Sequence, residues 1–102
     1  MAQWLYRIEP TRSEMVATPT ERDQQLVAAH FAYLVELRDR GILILAGRTQ
    51  VDEGTFGLVI YTAGDAAAAR AIADADPAVA GGVFAAEVYP YAIAVARDGL
   101  TD

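Results

Sequence analysis

A two-layer α+β fold, with two helices against one face of a four-stranded antiparallel sheet in the order βαββαβ, is what this sequence predicts. Three observations carry that expectation. Two segments with helix-forming spacing, 19–40 and 66–75, are each flanked by apolar runs of strand length. The runs between them, 42–48 and 55–62, are joined by a turn segment containing Asp52, Glu53 and Gly54, as a hairpin requires. The whole is 102 residues long, enough for one domain with a core of its own and too short for two.

Residues 3–8 read as the first strand, with Trp4, Tyr6 and Ile8 on one face and Leu5 and Arg7 on the other. Segment 9–18 is polar and proline-punctuated, hence a loop. Thr18 then predicts an N-cap, with Pro19 at the first helical position and Glu21 three residues after the cap completing a capping box. Leu26, His30, Tyr33, Leu34 and Leu37 recur at three- and four-residue spacing, which makes them the buried stripe of a helix running to about Arg40. Gly41 is its expected left-handed stop. After the hairpin, Thr62 and Asp65 offer caps for the second helix, whose alanines favour helix and whose buried side is Ala69, Ile72 and Ala73. Pro77 ends it, because the residue before a proline is pushed out of the helical region. Gly81 and Gly82 then break the chain, and 83–94 is apolar again, with Pro90 marking an edge strand or a bulge. The arrangement is ferredoxin-like, a single domain over 1–97 followed by a loose polar tail over 98–102.

Composition removes several function classes. With 8 basic and 14 acidic residues the formal charge is -6, so the averaged field repels nucleic acid and anionic lipid. No apolar run approaches the roughly 20 residues that cross a bilayer, and residues 1–4 lack the basic start of a secretory signal, which predicts a cytoplasmic protein without a membrane partner. The absence of cysteine removes disulfides, thiolate catalysis and thiolate metal sites together. Ser13, the single serine, falls in a loop, so nucleophilic catalysis has a poor candidate.

A sheet covered by helices on one face alternates apolar and polar residues when its other face meets water. The runs Ile42–Leu43–Ile44–Leu45, Leu58–Val59–Ile60–Tyr61 and Val83–Phe84–Ala85–Ala86 do not alternate. No segment is left to form another layer, so the second face predicts a second copy of the chain, a homodimer packed sheet on sheet.

His30, the only histidine, falls on the apolar stripe of the first helix, and Asp76 is its natural partner at the end of the second. Imidazole titrates near neutral pH, and an aspartate on one ring nitrogen fixes the tautomer and leaves the other nitrogen free to act as a base. The same residue types also serve in plain structural roles: a core histidine can bond a backbone carbonyl, and Asp76 can accept backbone amides in the turn before Gly81. Arg48 offers a bidentate fork for an anionic oxygen, or a surface ion pair. Tyr6, Tyr33 and Tyr61 offer hydroxyls or stacking faces to a ligand, or simple packing. One histidine with scattered carboxylates builds no zinc or calcium site, Gly81–Gly82 lacks the lysine of a phosphate loop, and nothing in the sequence requires a cofactor.

His30 with Tyr33–Leu34 and Leu37, then Gly41–Ile42–Leu43, Ala46–Gly47–Arg48, Ala75–Asp76–Pro77 and Gly82–Val83–Phe84, resembles the YCII-related (YciI-like) proteins over roughly Glu21 to Tyr91. The resemblance implies a dimeric α+β barrel, related in fold to muconolactone isomerase and small antibiotic-type monooxygenases, with a His and Asp dyad in a cleft. It places the histidine at His30 and the aspartate at Asp76. One characterised relative removes chloride from a chlorinated hydroxyhydroquinone. Two positions depart from the family pattern: Arg48 stands where a proline usually follows Ala-Gly, and Ala78 where an aromatic residue often follows Asp-Pro. Two functions follow as expectations. One is a cofactor-independent lyase, isomerase or dehydrochlorinase-like enzyme acting on a small, anionic or oxygenated ring metabolite. The other is a non-catalytic small-molecule-binding or accessory protein using the same cleft.

Overall fold

Strand β1 (Ala2–Pro10) runs through the sheet interior of the computed structural model, which describes residues 1–100. The other elements, in chain order, are α1 (Glu14–Ala17), α2 (Glu21–Asp39), β2 (Leu43–Arg48), β3 (Gly57–Ala63), α3 (Ala66–Asp74), α4 (Pro77–Ala80) and β4 (Phe84–Tyr91). All strand pairs are antiparallel and the sheet order is β2-β3-β1-β4, the ferredoxin-like topology the sequence predicts. Pro90 is accommodated because β4 is an edge strand. Of the tail expected over 98–102, residues 101 and 102 lie outside the described residues.

Alternation along β1 places Tyr6 and Ile8 under the helices, and register carries that face sideways through Val59 and Tyr61 on β3 and Val88 and Ala86 on β4. Leu34 and Leu37 of α2 and Ala69 and Ala73 of α3 close the same cluster from above. Burying a leucine such as Leu37 contributes about 1.5–3 kcal/mol, so this layer supplies much of what opposes chain entropy. Small alanines on α3 let that helix approach the sheet closely.

Three local expectations need correction. The N-cap of α2 is Thr20 rather than Thr18, and its capping-box partner is Asp23 rather than Glu21. Two overlapping Thr-x-x-acid patterns compete there, and the later one wins because Asp23 is also held by Arg12. Segment 9–18 is not all loop: β1 continues to Pro10, and Met15, buried, anchors the short helix α1. The last strand stops at Tyr91 rather than continuing to residue 94, and Gln3 caps the chain beyond it by accepting the Ile93 N–H at 2.8 Å.

The outer face of the sheet is mixed. Leu58 and Ile60 of β3 and Leu45 of β2 form an apolar half, whereas Arg7, Glu9 and Glu87 form a charged half in which Arg7 pairs with both carboxylates and lies 4.4 Å over the Phe56 ring.

Candidate active site

Two helices bring the central pair together. His30 lies midway along α2 on the stripe Asp23, His30, Leu34 and Leu37, the residues of that helix that are buried. Asp76 is the N-cap of α4, with Pro77 at the first helical position, so the proline that ends α3 also starts the next turn. Gly81 lets α4 dock: a Cβ there would stand 2.7 Å from a Leu26 methyl of α2, and the Gly81 carbonyl accepts from Arg22 of α2 at 2.9 Å.

The outcome is a carboxylate with both oxygens engaged. Asp76 is wholly buried; its Oδ1 accepts the Ala78 N–H at 3.0 Å, and its Oδ2 accepts the Tyr6 hydroxyl at 2.8 Å and meets His30 Nδ1 at 2.6 Å. An ionised carboxylate only accepts, so Nδ1 carries the proton in this arrangement and Nε2 is the nitrogen the ring can offer outward. Phe84 and Phe31 pack edge-on against the imidazole, with centroids 5.4 and 5.7 Å away, and fix its plane. Burial, followed by the charge of Asp76, pushes the Tyr6 hydroxyl well above its ordinary range, so it remains a donor.

His30 is 7% exposed and forms part of the wall of a cavity of about 650 Å³ between α1, α2 and the sheet, a size suited to a small metabolite. Ile8, Val27, Leu34, Val59 and Phe84 make much of that wall apolar, while Arg48 stands at it from the end of β2. Among the described residues no carboxylate lies within 4 Å of the Arg48 guanidinium. No three histidine, aspartate or glutamate side chains come together as a metal-ligand group among them, and no helix is long and apolar enough to cross a membrane.

Of the residues singled out by sequence, the structure brings His30 and Asp76 into contact and sets Arg48 at the same cavity. The tyrosines are placed otherwise. Tyr6 lies behind the pair, Tyr33 donates to the Ile72 carbonyl at 2.7 Å, and Tyr61 donates to the Ala69 carbonyl at 2.7 Å; none of the three lines the cavity. Burial raises the Tyr33 hydroxyl and pushes that of Tyr61 up to about 12. Asp23 is the cavity residue that sequence reasoning passes over. Its signal was present: it stands seven residues before His30, two turns along the same helical face.

A ferredoxin-like α+β domain whose helices hold a buried His–Asp pair against an apolar cavity is the class that fold and site define. The chain belongs to the YCII-related domain family, whose model matches residues 4–92. Among solved structures it is similar to the 5-chloro-2-hydroxyhydroquinone dehydrochlorinase TftG from Burkholderia phenoliruptrix AC1100, in complex with 2,5-dihydroxybenzoquinone. The TM-score is 0.63 at 24% identity, over 90% of this chain and 94% of the other, a likeness of fold. No curated protein matches the sequence.

Proposed function

We propose that the protein is a cofactor-independent acid/base enzyme, with His30 as the proton-transferring residue, Asp76 as its orienting partner and Arg48 as the holder of an anionic oxygen. The observation that carries this reading is the 2.6 Å contact between His30 Nδ1 and a carboxylate already fixed by two other donors, on a ring that borders a cavity. Such a carboxylate stabilises the imidazolium that forms when Nε2 takes a proton, and holds the ring still while it does so. The substrate class that suits the cavity is a small oxygenated ring: apolar walls for its faces, a base at one edge and a guanidinium for an ionised oxygen.

In an elimination from a chlorinated hydroxyhydroquinone, a hydroxyl proton passes by way of Nε2 to the chlorine-bearing carbon to give the keto tautomer. Loss of a second hydroxyl proton then forms a C=O and shifts the ring double bond while chloride leaves with the C–Cl pair, giving a hydroxyquinone and HCl. In an isomerisation, the same proton returns from Nε2 to another atom of the conjugated system. The dehydrochlorinase of similar fold makes a chlorinated hydroxyhydroquinone a reasoned first substrate. The experiment follows chloride release and the ultraviolet spectrum with 5-chloro-2-hydroxyhydroquinone. His30→Asn is expected to lower turnover by about 10²- to 10⁴-fold, with the far-ultraviolet circular dichroism unchanged. Retention of wild-type turnover by that variant overturns the assignment, and saturable binding without product points to a ligand-binding protein instead.

The apolar half of the outer sheet face supports pairing of two copies, with Leu45 and Leu58 at its centre beside the already buried Ile60, and the half-exposed Tyr89 and Tyr91 beyond. Sedimentation at micromolar concentration is expected to give a dimer, and Leu45→Lys to shift it toward monomer. A monomer for the unaltered chain overturns the pairing.

A further inference from the structure

We infer that Asp23 Oδ1 is the cavity's acceptor for a ring hydroxyl, at the end of the bound molecule opposite the one that meets His30. This rests on the reading of His30 as the acid/base group. It concerns a second, separate carboxylate, which sets what can bind instead of what is done to it.

Asp23 is 1% exposed and forms part of the cavity wall. Its two oxygens are treated unequally. Oδ2 accepts the Thr20 N–H at 2.9 Å and Arg12 Nη2 at 2.5 Å, whereas Oδ1, equally buried, has no hydrogen-bond partner. Helix capping and the ion pair therefore account for one oxygen only. Folded proteins rarely leave a buried acceptor bare; Trp4 Nε1 is also without a partner, but of the two only Asp23 stands at the cavity, where a ligand can supply one. The Thr20 N–H, more than any other group, holds the Asp23 carboxyl below its ordinary range, so Oδ1 remains an acceptor at neutral pH. Arg12 balances the carboxylate charge, so the donor it suits is a neutral hydroxyl and not a cation.

Position supplies the scale. Seven residues of α2 separate Asp23 from His30, on one helical face and about 10 Å apart along the axis at 1.5 Å per residue. A six-membered ring with oxygens at opposite ends, joined at each end by a hydrogen bond of about 2.7 Å, spans that length. Val27 and Leu34 on the same helix and Ile8 from the sheet give its faces apolar cover.

The test compares hydroquinone, 4-methoxyphenol and 4-aminophenol, titrated anaerobically by ligand-observed NMR against the wild type, Asp23→Asn, Arg12→Gln and His30→Asn. Methylation leaves one hydroxyl, so 4-methoxyphenol can meet Oδ1 or His30 but not both, whereas hydroquinone meets both. In Asp23→Asn both donors at the Oδ2 position, Thr20 N–H and Arg12, force the amide oxygen to that side. The –NH2 then stands where Oδ1 was, turning an acceptor into a donor. The wild type is expected to prefer hydroquinone over 4-methoxyphenol about tenfold, the value of one hydrogen bond to a charged group, and Asp23→Asn to lose that preference. Arg12→Gln, which leaves Oδ1 in place, is expected to keep it.

Absence of hydroquinone binding to the wild type overturns the inference, as does an equal preference in Asp23→Asn. Loss of preference in Arg12→Gln as complete as in Asp23→Asn marks Asp23 as structural and also overturns it. Tenfold tighter binding of 4-aminophenol than of hydroquinone overturns the hydroxyl assignment. Should Asp23→Asn fail to fold, a crystal structure of the wild type soaked in hydroquinone decides: a ligand oxygen within about 3 Å of Oδ1 supports the inference, and a protein donor there overturns it. His30→Asn separates the two readings, because it removes turnover while leaving hydroquinone bound through Oδ1.

Discussion

Asp76 and Asp23 are both shut away from water and both cap helices, yet the two carboxylates end in opposite states. Asp76 receives the Ala78 N–H on one oxygen and the Tyr6 hydroxyl and the His30 ring on the other, so neither oxygen is bare. Asp23 receives everything on one oxygen and nothing on the other. A saturated carboxylate is an orienting device, because each of its bonds restrains the others. A half-saturated one at a cavity is a receptor. The difference teaches that burial alone does not separate positioning groups from binding groups; whether an oxygen is left wholly without a partner does.

The largest blow to that contrast is Asp76→Ala. It strands the Tyr6 hydroxyl and the His30 ring in the core and removes the cap of α4, so stability is expected to fall by about 3–5 kcal/mol. For a domain of this size, Tm should drop by at least about 12 °C, read by calorimetry. Gly81→Ala comes next: its Cβ would stand 2.7 Å from Leu26 Cδ1 and 2.9 Å from the Pro77 carbonyl, overpacking the joint that sets Asp76 beside His30. Denaturant titration should show a loss of about 1–3 kcal/mol.

Tyr6→Phe sharpens the comparison by taking one donor from the saturated carboxylate, at a cost of about 1–3 kcal/mol. Its pH signature runs in one direction. Burial holds the Tyr6 hydroxyl neutral far beyond its ordinary value of 10.0, and that of Tyr61 up to about 12. A raised folded value means stability is full below pH 10 and is lost as pH climbs past it. Melting curves from pH 9 to about 11.5 should therefore fall more gently in Tyr6→Phe than in the wild type. The smallest effect lies at the acid end. Asp23 is held below its ordinary 3.8, so its contribution is complete above that value and fades as pH drops beneath it. Asp23→Asn should lose less stability than the wild type between pH 4 and about 2.5, measured by the same curves.

Periodicity made the frame legible and, of the candidate site, the residues that meet in the His30–Asp76 contact. The two-residue alternation of Trp4, Tyr6 and Ile8 and the stripe through His30, Leu34 and Leu37 are direct statements of which face is buried, and the structure keeps both. His30 stood out because it is polar where hydrocarbon is expected, and Asp76 as its natural partner at the end of the second helical segment. The tyrosine hydroxyls were not legible, since the carbonyls of Ile72 and Ala69 that receive two of them carry no side-chain signature. Asp23 was hidden by its own local usefulness: an acidic residue three after a threonine reads as a cap, and a cap uses only one of its oxygens. The competing pattern at Thr18 and Glu21 drew attention two residues away from it.

Because Tyr6 and His30 lean on the same Oδ2 atom, a change of charge on the imidazole alters the strength of the phenol's bond in the middle of β1. The molecule thus carries its own optical gauge. Tyrosine ultraviolet resonance Raman bands, taken as a difference against Tyr6→Phe, should shift when a bound molecule alters the bonding of the imidazole, a label-free record from a phenol that does not line the cavity.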